Sequence, residues 1–363
     1  MPDQARPRML TLVREAKGWT QRELGEQAGG MSQGLISKIE AGLLPLTGDG
    51  LDAVAEALQC PVALLTDDTP MQGLEVTCMH HRRRSSKLTA GQKRRIEALT
   101  HLTRVSVEGL LAGIELLPEA QVHRVDLEQY GNDPAEVARA LRIEWRVPSG
   151  PIENVAKLLE SVGIVMVTRA LHTQAQDAVS TWPRDPGRPP LMVINTGLPP
   201  DRQRFTTCHE LGHMVMHALP DDDQERQADV FAAEFLAPAD QIGPQLAGLT
   251  TRDFNRLKVL KAQWGMSIAA LVRRAYDLEL ITERQYREFN VQLGKRGWRR
   301  VEPVSLPTEQ PSTLNRVMQV HMAEHDYTEE DLATVAGMLA PTFKSRYRPA
   351  PSRPVAPLRL VQK

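Results

Sequence analysis

The apolar positions of the first seventy residues recur at the three- and four-residue spacing of amphipathic helices, with glycine turns between the runs. Thr20 and Ser32 precede two of these runs as N-caps, and Glu23 follows Thr20 at the spacing of a capping box. The pattern predicts five short helices, over residues 8–16, 21–27, 33–40, 51–58 and 61–65. Such a segment is typical of a small helical domain.

The remainder of the chain is also mainly helical in pattern. Further helices are predicted over residues 92–117, 133–145, 152–161, 200–293 with few breaks, and parts of 314–343. Two runs rich in β-branched residues and bounded by Gly and Pro, 164–167 and 191–194, predict strands. Residues 303–311 are expected to be a linker. The predicted fold class is therefore mainly α with a small β-sheet.

Composition narrows the class of protein. The 363 residues are long enough for two or three domains, and the net charge of −1 excludes whole-chain basicity as a sign of nucleic-acid binding. An apolar content of 41% before glycine is counted argues against full-length disorder. No run approaches the ~18 apolar residues of a membrane span, and three cysteines without a pattern indicate a reducing compartment. We expect a soluble, cytoplasmic protein that does not enter a membrane.

Two stretches carry positive charge without any acidic residue. Residues 80–95 hold seven Lys or Arg, which favours a solvated linker leading into a helix and leaves an accessory phosphate-contacting arm as the alternative. Residues 341–363 hold six Lys or Arg among several prolines. This composition predicts a disordered basic tail over 346–363.

Residues 20–40 have the spacing of a helix-turn-helix, because two short predicted helices are joined by a glycine turn. Leu24 and Ile36 are expected to face one core, and the second helix is the candidate reader of base edges. Polar side chains on its exposed face and at helix N-termini can reach bases or phosphates. The candidate DNA-binding residues are Gln21, Ser32, Gln33, Leu35 and Lys38.

Residues 14–24 and 36–42 carry a resemblance to the Cro/C1-type (XRE) helix-turn-helix family over about 60 residues. The resemblance implies sequence-specific binding of double-stranded DNA, as a homodimer on a palindromic operator. Residues 1–70 nevertheless hold six Lys or Arg against ten Asp or Glu, a net charge of −4. Phosphate contacts must then come from a few placed side chains, helix N-termini or the basic arm. A helical protein-interaction module is the alternative.

The segment His209-Glu210-Leu211-Gly212-His213 forms an HExxH motif within a predicted helix. Histidines four residues apart lie on one helix face, about 6 Å apart along the axis, and can share one Zn²⁺. Glu210 is placed to take a proton from the water that a zinc site activates.

A second predicted helix supplies carboxylates for this site. Glu225 and Asp229 lie four residues apart, so Glu225 is the expected third ligand and Asp229 is expected to orient a ligand histidine. His217 and Glu234 are the alternatives for the third ligand, although His217 lies about 12 Å along the helix from His209. Three protein ligands leave one position open, which is the catalytic form of a zinc site.

Residues 204–213 and 225–238 look like the ImmA/IrrE family of zinc metallopeptidases, and the likeness extends over about 133–302. It implies a zincin-like fold with His209, His213 and Glu225 as zinc ligands and Glu210 as general acid/base. It also implies a protein or peptide substrate, because some relatives cut a helix-turn-helix repressor.

Two expectations concern the surroundings of the motif. Residues 191–194 are expected to be an edge strand that holds a substrate by strand addition. Cys208 stands where the family usually has alanine, but its spacing from Leu211 and Val215 favours a core position over a redox switch.

The predicted organisation follows from these segments: a five-helix DNA-binding domain over 1–68, a basic linker and connecting helix over 69–132, a metallopeptidase domain over 133–302, a small helical region over 303–345 and the tail over 346–363. The predicted function is a transcriptional regulator with a zinc peptidase that cleaves itself or a partner. One alternative is a regulator whose peptidase-like domain is a non-catalytic sensor of metal or a small ligand. The other is an antitoxin-like interaction module.

Overall fold

The computed structural model describes residues 4–67, 88–183, 187–218 and 222–347, together with the backbone of 75–76. It is mainly α-helical with one small sheet, as predicted. None of the helices in these ranges is both long and apolar enough to cross a bilayer. The predictions for the basic stretch 80–87 and for the tail beyond 347 lie outside the described residues.

The N-terminal domain contains the five predicted helices. They are α1 Pro7–Lys17, α2 Gln21–Gln27, α3 Gln33–Glu40, α4 Gly48–Leu58 and α5 Val62–Thr66. The predicted capping box is present, because Thr20 accepts from the Glu23 backbone and Glu23 accepts from the Thr20 backbone. Leu24 and Ile36 are fully buried in one core, as expected for a helix-turn-helix.

Two contacts fix the position of α3 in the domain. Gly25 is required by close packing, since a Cβ at this position would lie 2.1 Å from the carbonyl oxygen of Met31. Arg14 of α1 donates to both carboxylate oxygens of Glu40, at 2.6 and 3.0 Å. This paired contact ties the end of α3 to α1 and so orients the exposed face of α3.

A long helix, α6 Ala90–Leu110, connects the two halves of the molecule. It packs on α1 through an apolar cluster that contains Ala16 and Leu99. The predicted extension of this helix to 117 is wrong. The helix ends at Leu110 because the following residues turn away, with Gly113 in the left-handed region at φ +77°.

The second half is built around a helical core and a small sheet. Its helices are α7 Pro134–Glu144, α8 Val155–Ser161, α9 Pro200–Met216, α10 Gln224–Leu236, α11 Ala239–Leu246, α12 Phe254–Trp264, α13 Ile268–Asp277 and α14 Glu283–Lys295. The helix predicted from 152 begins three residues later, because Asn154 caps it by accepting from the Lys157 backbone at 2.8 Å.

The sheet has four described strands: β1 Glu75–Val76, β2 Val165–Arg169, β3 Ala178–Trp182 and β4 Leu191–Asn195. Their order is β1-β3-β4-β2, with β2 and β4 parallel and the other pairs antiparallel. Both predicted strands are present. The expectation that 191–194 forms an edge strand is wrong, because β4 lies between β3 and β2 and is paired on both sides.

Helix α9 lies between this sheet and α10, and is buried on almost every side. Gly212 allows the close approach of α10, since a Cβ there would lie 3.0 Å from the Phe231 ring and 3.3 Å from the Ala228 Cα. Phe231 and Phe235 stack with ring centroids 5.5 Å apart and anchor α10 in the core. The sequence thereby places the N-terminal end of α10 beside the middle of α9.

The C-terminal region returns to the connecting helix. Residues 303–312 form no helix or strand, and the buried Glu309 in this stretch accepts from Arg204 and from the Ala156 backbone. Three helices follow: α15 Thr313–Glu324, α16 Glu329–Val335 and α17 Ala340–Tyr347. The predicted start of the tail at 346 is therefore too early. Tyr347 still belongs to α17, where its ring lies 5.2 Å from the buried Phe343 ring.

Candidate metal centre

The two histidines of the HExxH motif lie one turn apart on α9 and point to the same place. His209 and His213 are both buried, and their Nε2 atoms lie 3.0 Å apart. This follows from the helical period, which stacks positions i and i+4 on one face.

Glu225 reaches the same place from α10. Its carboxylate oxygens lie 3.4 Å from the His213 Nε2 and 3.9 Å from the His209 Nε2. One ligand atom from each of these residues falls within 4.8 Å of the others, and the three form the metal-binding group found among the described residues. A tetrahedral zinc ion with bonds of about 2.0–2.2 Å separates its ligand atoms by about 3.3–3.6 Å. The arrangement therefore fits a zinc ion with only small adjustments.

The hydrogen bonds around the histidines determine which nitrogen faces the centre. The His209 Nδ1 lies 2.8 Å from the Asp229 carboxylate, which can only accept, so this Nδ1 carries the proton. Its Nε2 is then a lone pair directed at the centre. This is the orienting contact expected for Asp229.

A second chain of contacts orients the other histidine. The His217 Nε2 donates to the Gln227 amide oxygen at 2.9 Å, so the neutral His217 presents its Nδ1 as an acceptor. The His213 Nδ1 lies 2.8 Å from that atom and donates to it. The Nε2 lone pairs of both motif histidines consequently face each other at 3.0 Å. Two lone pairs repel at that distance, and a cation between them removes the repulsion.

His217 thus contacts a ligand histidine and does not reach the centre itself. The sequence pattern suggested His217 only as an alternative ligand, and its contact with His213 was not predicted. The available signal was its own i+4 spacing from His213, which repeats the spacing within the motif.

Glu210 is completely buried between α9 and the sheet, and its Oε2 accepts from the Ser180 hydroxyl at 3.0 Å. Ser180 lies in the middle of β3, the strand that was not predicted. Because β3 supplies this contact, the surroundings of Glu210 depend on a long-range pairing that no local pattern reveals.

The remaining candidates near the motif have other roles. Glu234, an alternative ligand, is buried in ion pairs with Arg274 and Arg139 and does not face the centre. Cys208 is fully buried, and desolvation raises the pKa of its thiol above the usual range. The predicted core position of Cys208 is confirmed, and a buried thiol of this kind is unreactive.

The five candidate DNA-binding residues lie together on the helix-turn-helix. Ser32 caps α3 by accepting from the Leu35 backbone, and the side chains on the outer face of α3 are exposed. We call Gln33, Leu35 and Lys38 the recognition face. A hydrogen-bonded chain runs beneath it, because Gln33 donates to Gln21 at 2.7 Å and Gln21 donates to Glu40 at 2.8 Å.

Comparison with known families agrees with this division of the chain. The model described as a helix-turn-helix matches residues 10–65, and the model described as an IrrE N-terminal-like domain matches residues 159–276. The predicted fusion of an XRE-type helix-turn-helix to an ImmA/IrrE-like domain is confirmed. The comparison with curated proteins finds no match. The chain thus combines a DNA-binding fold with a metallopeptidase-like domain.

Proposed function

We propose that this protein is a cytoplasmic transcriptional regulator whose metallopeptidase-like domain is a zinc-dependent endopeptidase that cleaves a regulator protein, either itself or a partner. The observation that carries the proposal is the convergence of the His209 Nε2, the His213 Nε2 and the Glu225 carboxylate beside the buried Glu210. A purely structural metal site does not need a buried carboxylate such as Glu210 in addition to its ligands.

His209, His213 and Glu225 are the residues that would hold the zinc ion. The bound ion would polarise the scissile carbonyl and lower the pKa of a water molecule, as it does in three-ligand zinc sites. Asp229 and His217 keep the two imidazoles in the tautomers and orientations that binding requires.

Glu210 is the general acid/base of the proposed reaction. It takes a proton from the attacking water and returns it to the nitrogen of the leaving amine. Ser180 donates to one carboxylate oxygen at 3.0 Å, which holds the side chain in one orientation. The peptide bond is broken and one water molecule is consumed, so no other reactant is needed.

The DNA-binding function is assigned to the recognition face together with the N-termini of α2 and α3. Gln33 and Lys38 are exposed on α3 and can reach base edges or phosphates in a major groove. Each chain presents one such helix. Two-fold pairing of two chains on a palindromic operator would place their two helices in successive major grooves. A homodimer is therefore part of the proposal.

One observation favours cleavage within the chain itself. β1, which comes from the segment between the two domains, pairs antiparallel with β3 at Val76–Thr181 and Glu75–Trp182. Ser180, which precedes Thr181 in β3, contacts Glu210. Strand addition is a general way to hold an extended peptide, so this segment occupies the edge where a substrate strand would lie.

The proposal is tested by loading the full chain with zinc and following its intact mass. We expect a cut between the two domains, close to β1, that separates the helix-turn-helix from the peptidase domain. Glu210→Gln should retain zinc and abolish the cut. Full-length Glu210→Gln chain is then added as a substrate to the active protein. It is cut only if cleavage occurs between chains, and the rate of that reaction rises with concentration.

Activity of Glu210→Gln equal to that of the unchanged protein would contradict the assignment of the general base. A zinc-loaded chain that cuts neither itself nor helix-turn-helix repressors would favour the alternative of a non-catalytic sensor.

A further inference from the structure

A cleft of about 1270 Å³ lies where the N-terminal domain, the connecting helix, the sheet and the C-terminal helices meet. We call it the junction cleft. Its walls come from α1, α6, the end of β2 and α17, with Lys17, Arg95, Arg169 and Arg346 among the lining residues. Neither Glu210 nor the three candidate zinc ligands line it, and the recognition face does not reach it. The junction cleft is thus separate from both sites described above.

The charges that line the junction cleft have one sign. Lys17 comes from α1, Arg95 from α6, Arg169 from β2 and Arg346 from α17, and the exposed His172 also lines the cleft. Among the residues that the structure describes, no aspartate or glutamate lines the cleft. Within the described ranges, none of the four cations forms an ion pair with a carboxylate.

Several buried cations elsewhere in the molecule pair with a carboxylate, whereas the buried Arg142 donates to backbone carbonyls alone. Arg204 pairs with Glu309, Arg274 pairs with Glu234, and Lys261 pairs with Asp201. Burial of a charge is unfavourable unless an opposite charge or several hydrogen bonds compensate it. Four cations that line one cleft without a carboxylate partner are therefore a feature that a bound anion would explain.

Neutral groups hold the guanidinium groups in place and leave most of their donors unused. Arg169 is buried and donates through one nitrogen to the Leu99 carbonyl at 3.0 Å and to the Thr103 hydroxyl. The Arg95 Nε donates to the Ala16 carbonyl at 3.1 Å, and Arg346 contacts the Met338 sulfur at 3.5 Å. A guanidinium has five N–H donors, and its planar fork matches the oxygens of phosphate or carboxylate.

The ionisation of these groups is consistent with a positive potential that is not neutralised. Desolvation, and to a smaller extent the neighbouring Arg346, lower the pKa of Arg169 to about 9. The pKa of His172 is lowered by desolvation and by Arg95 and Arg169. A bound anion would reverse these effects, because it favours the charged form of each group.

The rest of the wall is apolar, which restricts the kind of anion. Leu64, Leu99, Leu102, Met166 and Leu314 line the cleft beside the cations. Thr168 also lines it, and its buried hydroxyl has no hydrogen-bond partner in the described chain. Small-molecule sites typically have such apolar walls with a few convergent polar groups.

We propose that the junction cleft binds an organic phosphate of about nucleotide size, with two or more negative charges directed at the arginines and an apolar or aromatic part against the leucines. Such a ligand would contact α1, α6, β2 and α17 together. It would stabilise their arrangement by mass action, and so connect the DNA-binding domain to the peptidase domain.

The test uses the full chain and three probes: ADP, inorganic pyrophosphate and adenosine. Isothermal titration and thermal unfolding should show ADP binding with a raised melting temperature, weaker binding of pyrophosphate, and no binding of adenosine. Arg95→Gln and Arg346→Gln should each weaken ADP binding by about tenfold or more, as expected for loss of a charge-assisted contact.

Arg94→Gln is the matched control, because Arg94 is the neighbour of Arg95 on α6, is 63% exposed and does not line the cleft. Its ADP affinity should stay within about twofold of the unchanged protein. Two variants at half-buried positions are used because substitution of the fully enclosed Arg169 risks misfolding. Absence of ADP binding, equal affinity for ADP and pyrophosphate, or equal effects of Arg94→Gln and Arg95→Gln would overturn the proposal.

Discussion

The candidate metal centre and the helix-turn-helix use helices in opposite ways. α9 is buried between a sheet and a helix, and its functional side chains are each held by a residue from another element or from the end of the same helix. α3 buries only one side, where Ile36 and Ile39 lie, and leaves the recognition face in solvent.

The difference lies in what each chemistry needs. Binding and polarising an ion requires imidazoles fixed in one tautomer and a dry, shaped site, so orienting contacts are part of the function. Contact with DNA requires side chains that can reach a groove, so the helix itself is fixed and its outer side chains are exposed to solvent. Substitutions around α9 should therefore have large effects on zinc binding. Substitutions on the outer face of α3 should have smaller, salt-dependent effects on DNA binding.

Among the residues around α9 that do not reach the centre, the largest effect is expected at His217. His217→Ala removes the acceptor for the His213 Nδ1–H and should weaken zinc affinity by about 10- to 100-fold without changing operator binding. Competition with a chelator of known affinity measures the change. His217→Gln, whose amide oxygen can accept the same hydrogen bond, should recover part of the loss; equal losses in both variants would count against the orienting role.

A smaller effect is expected on the recognition face. Lys38→Ala should weaken DNA binding and reduce the slope of log affinity against log salt by about 1, since one phosphate contact is lost. Fluorescence anisotropy at several salt concentrations gives the slope. Arg284→Ala, at an 89% exposed position on α14, is the control and should leave it unchanged. An unaltered slope in Lys38→Ala would remove this lysine from the proposed interface.

The smallest effect is expected at the buried thiols. Desolvation raises the pKa of Cys60 to about 12 and moves the pKa of Cys208 in the same direction, so both thiols stay protonated from pH 7 to pH 9. In a Cys78→Ser background, a thiol-alkylating reagent should label neither residue of the native chain over this range, but both in guanidinium. Rapid native labelling of Cys208, found by peptide mapping, would reopen the redox-switch interpretation.

The sequence predicts the parts of these sites that depend on neighbouring residues. The capping box, the glycine turn and the i+4 histidines are local, so the helix-turn-helix and the two motif histidines could be placed on their helices in advance. The same is true of the Glu225–Asp229 pair, because both residues lie on one short helix.

Apart from the role of His217, the missed features depend on contacts distant in sequence. β3 is short and carries Ser180 and Thr181, so its pattern does not stand out, and its insertion beside β4 decides which strand lies at the edge. The contact of Ser180 with Glu210 spans thirty residues of sequence. The cations of the junction cleft come from α1, α6, β2 and α17, and only the folded chain brings them together.

The most direct test of the central claim is the zinc content of the purified full chain, measured by elemental mass spectrometry beside Glu225→Ala. The account predicts about one zinc per chain in the unchanged protein and loss of that zinc in Glu225→Ala. It also predicts that Glu234→Gln retains zinc, provided that the variant folds, because Glu234 pairs with arginines away from the centre. A chain that takes up no zinc on loading, or a Glu225→Ala variant that keeps it fully, would contradict the proposed metal centre.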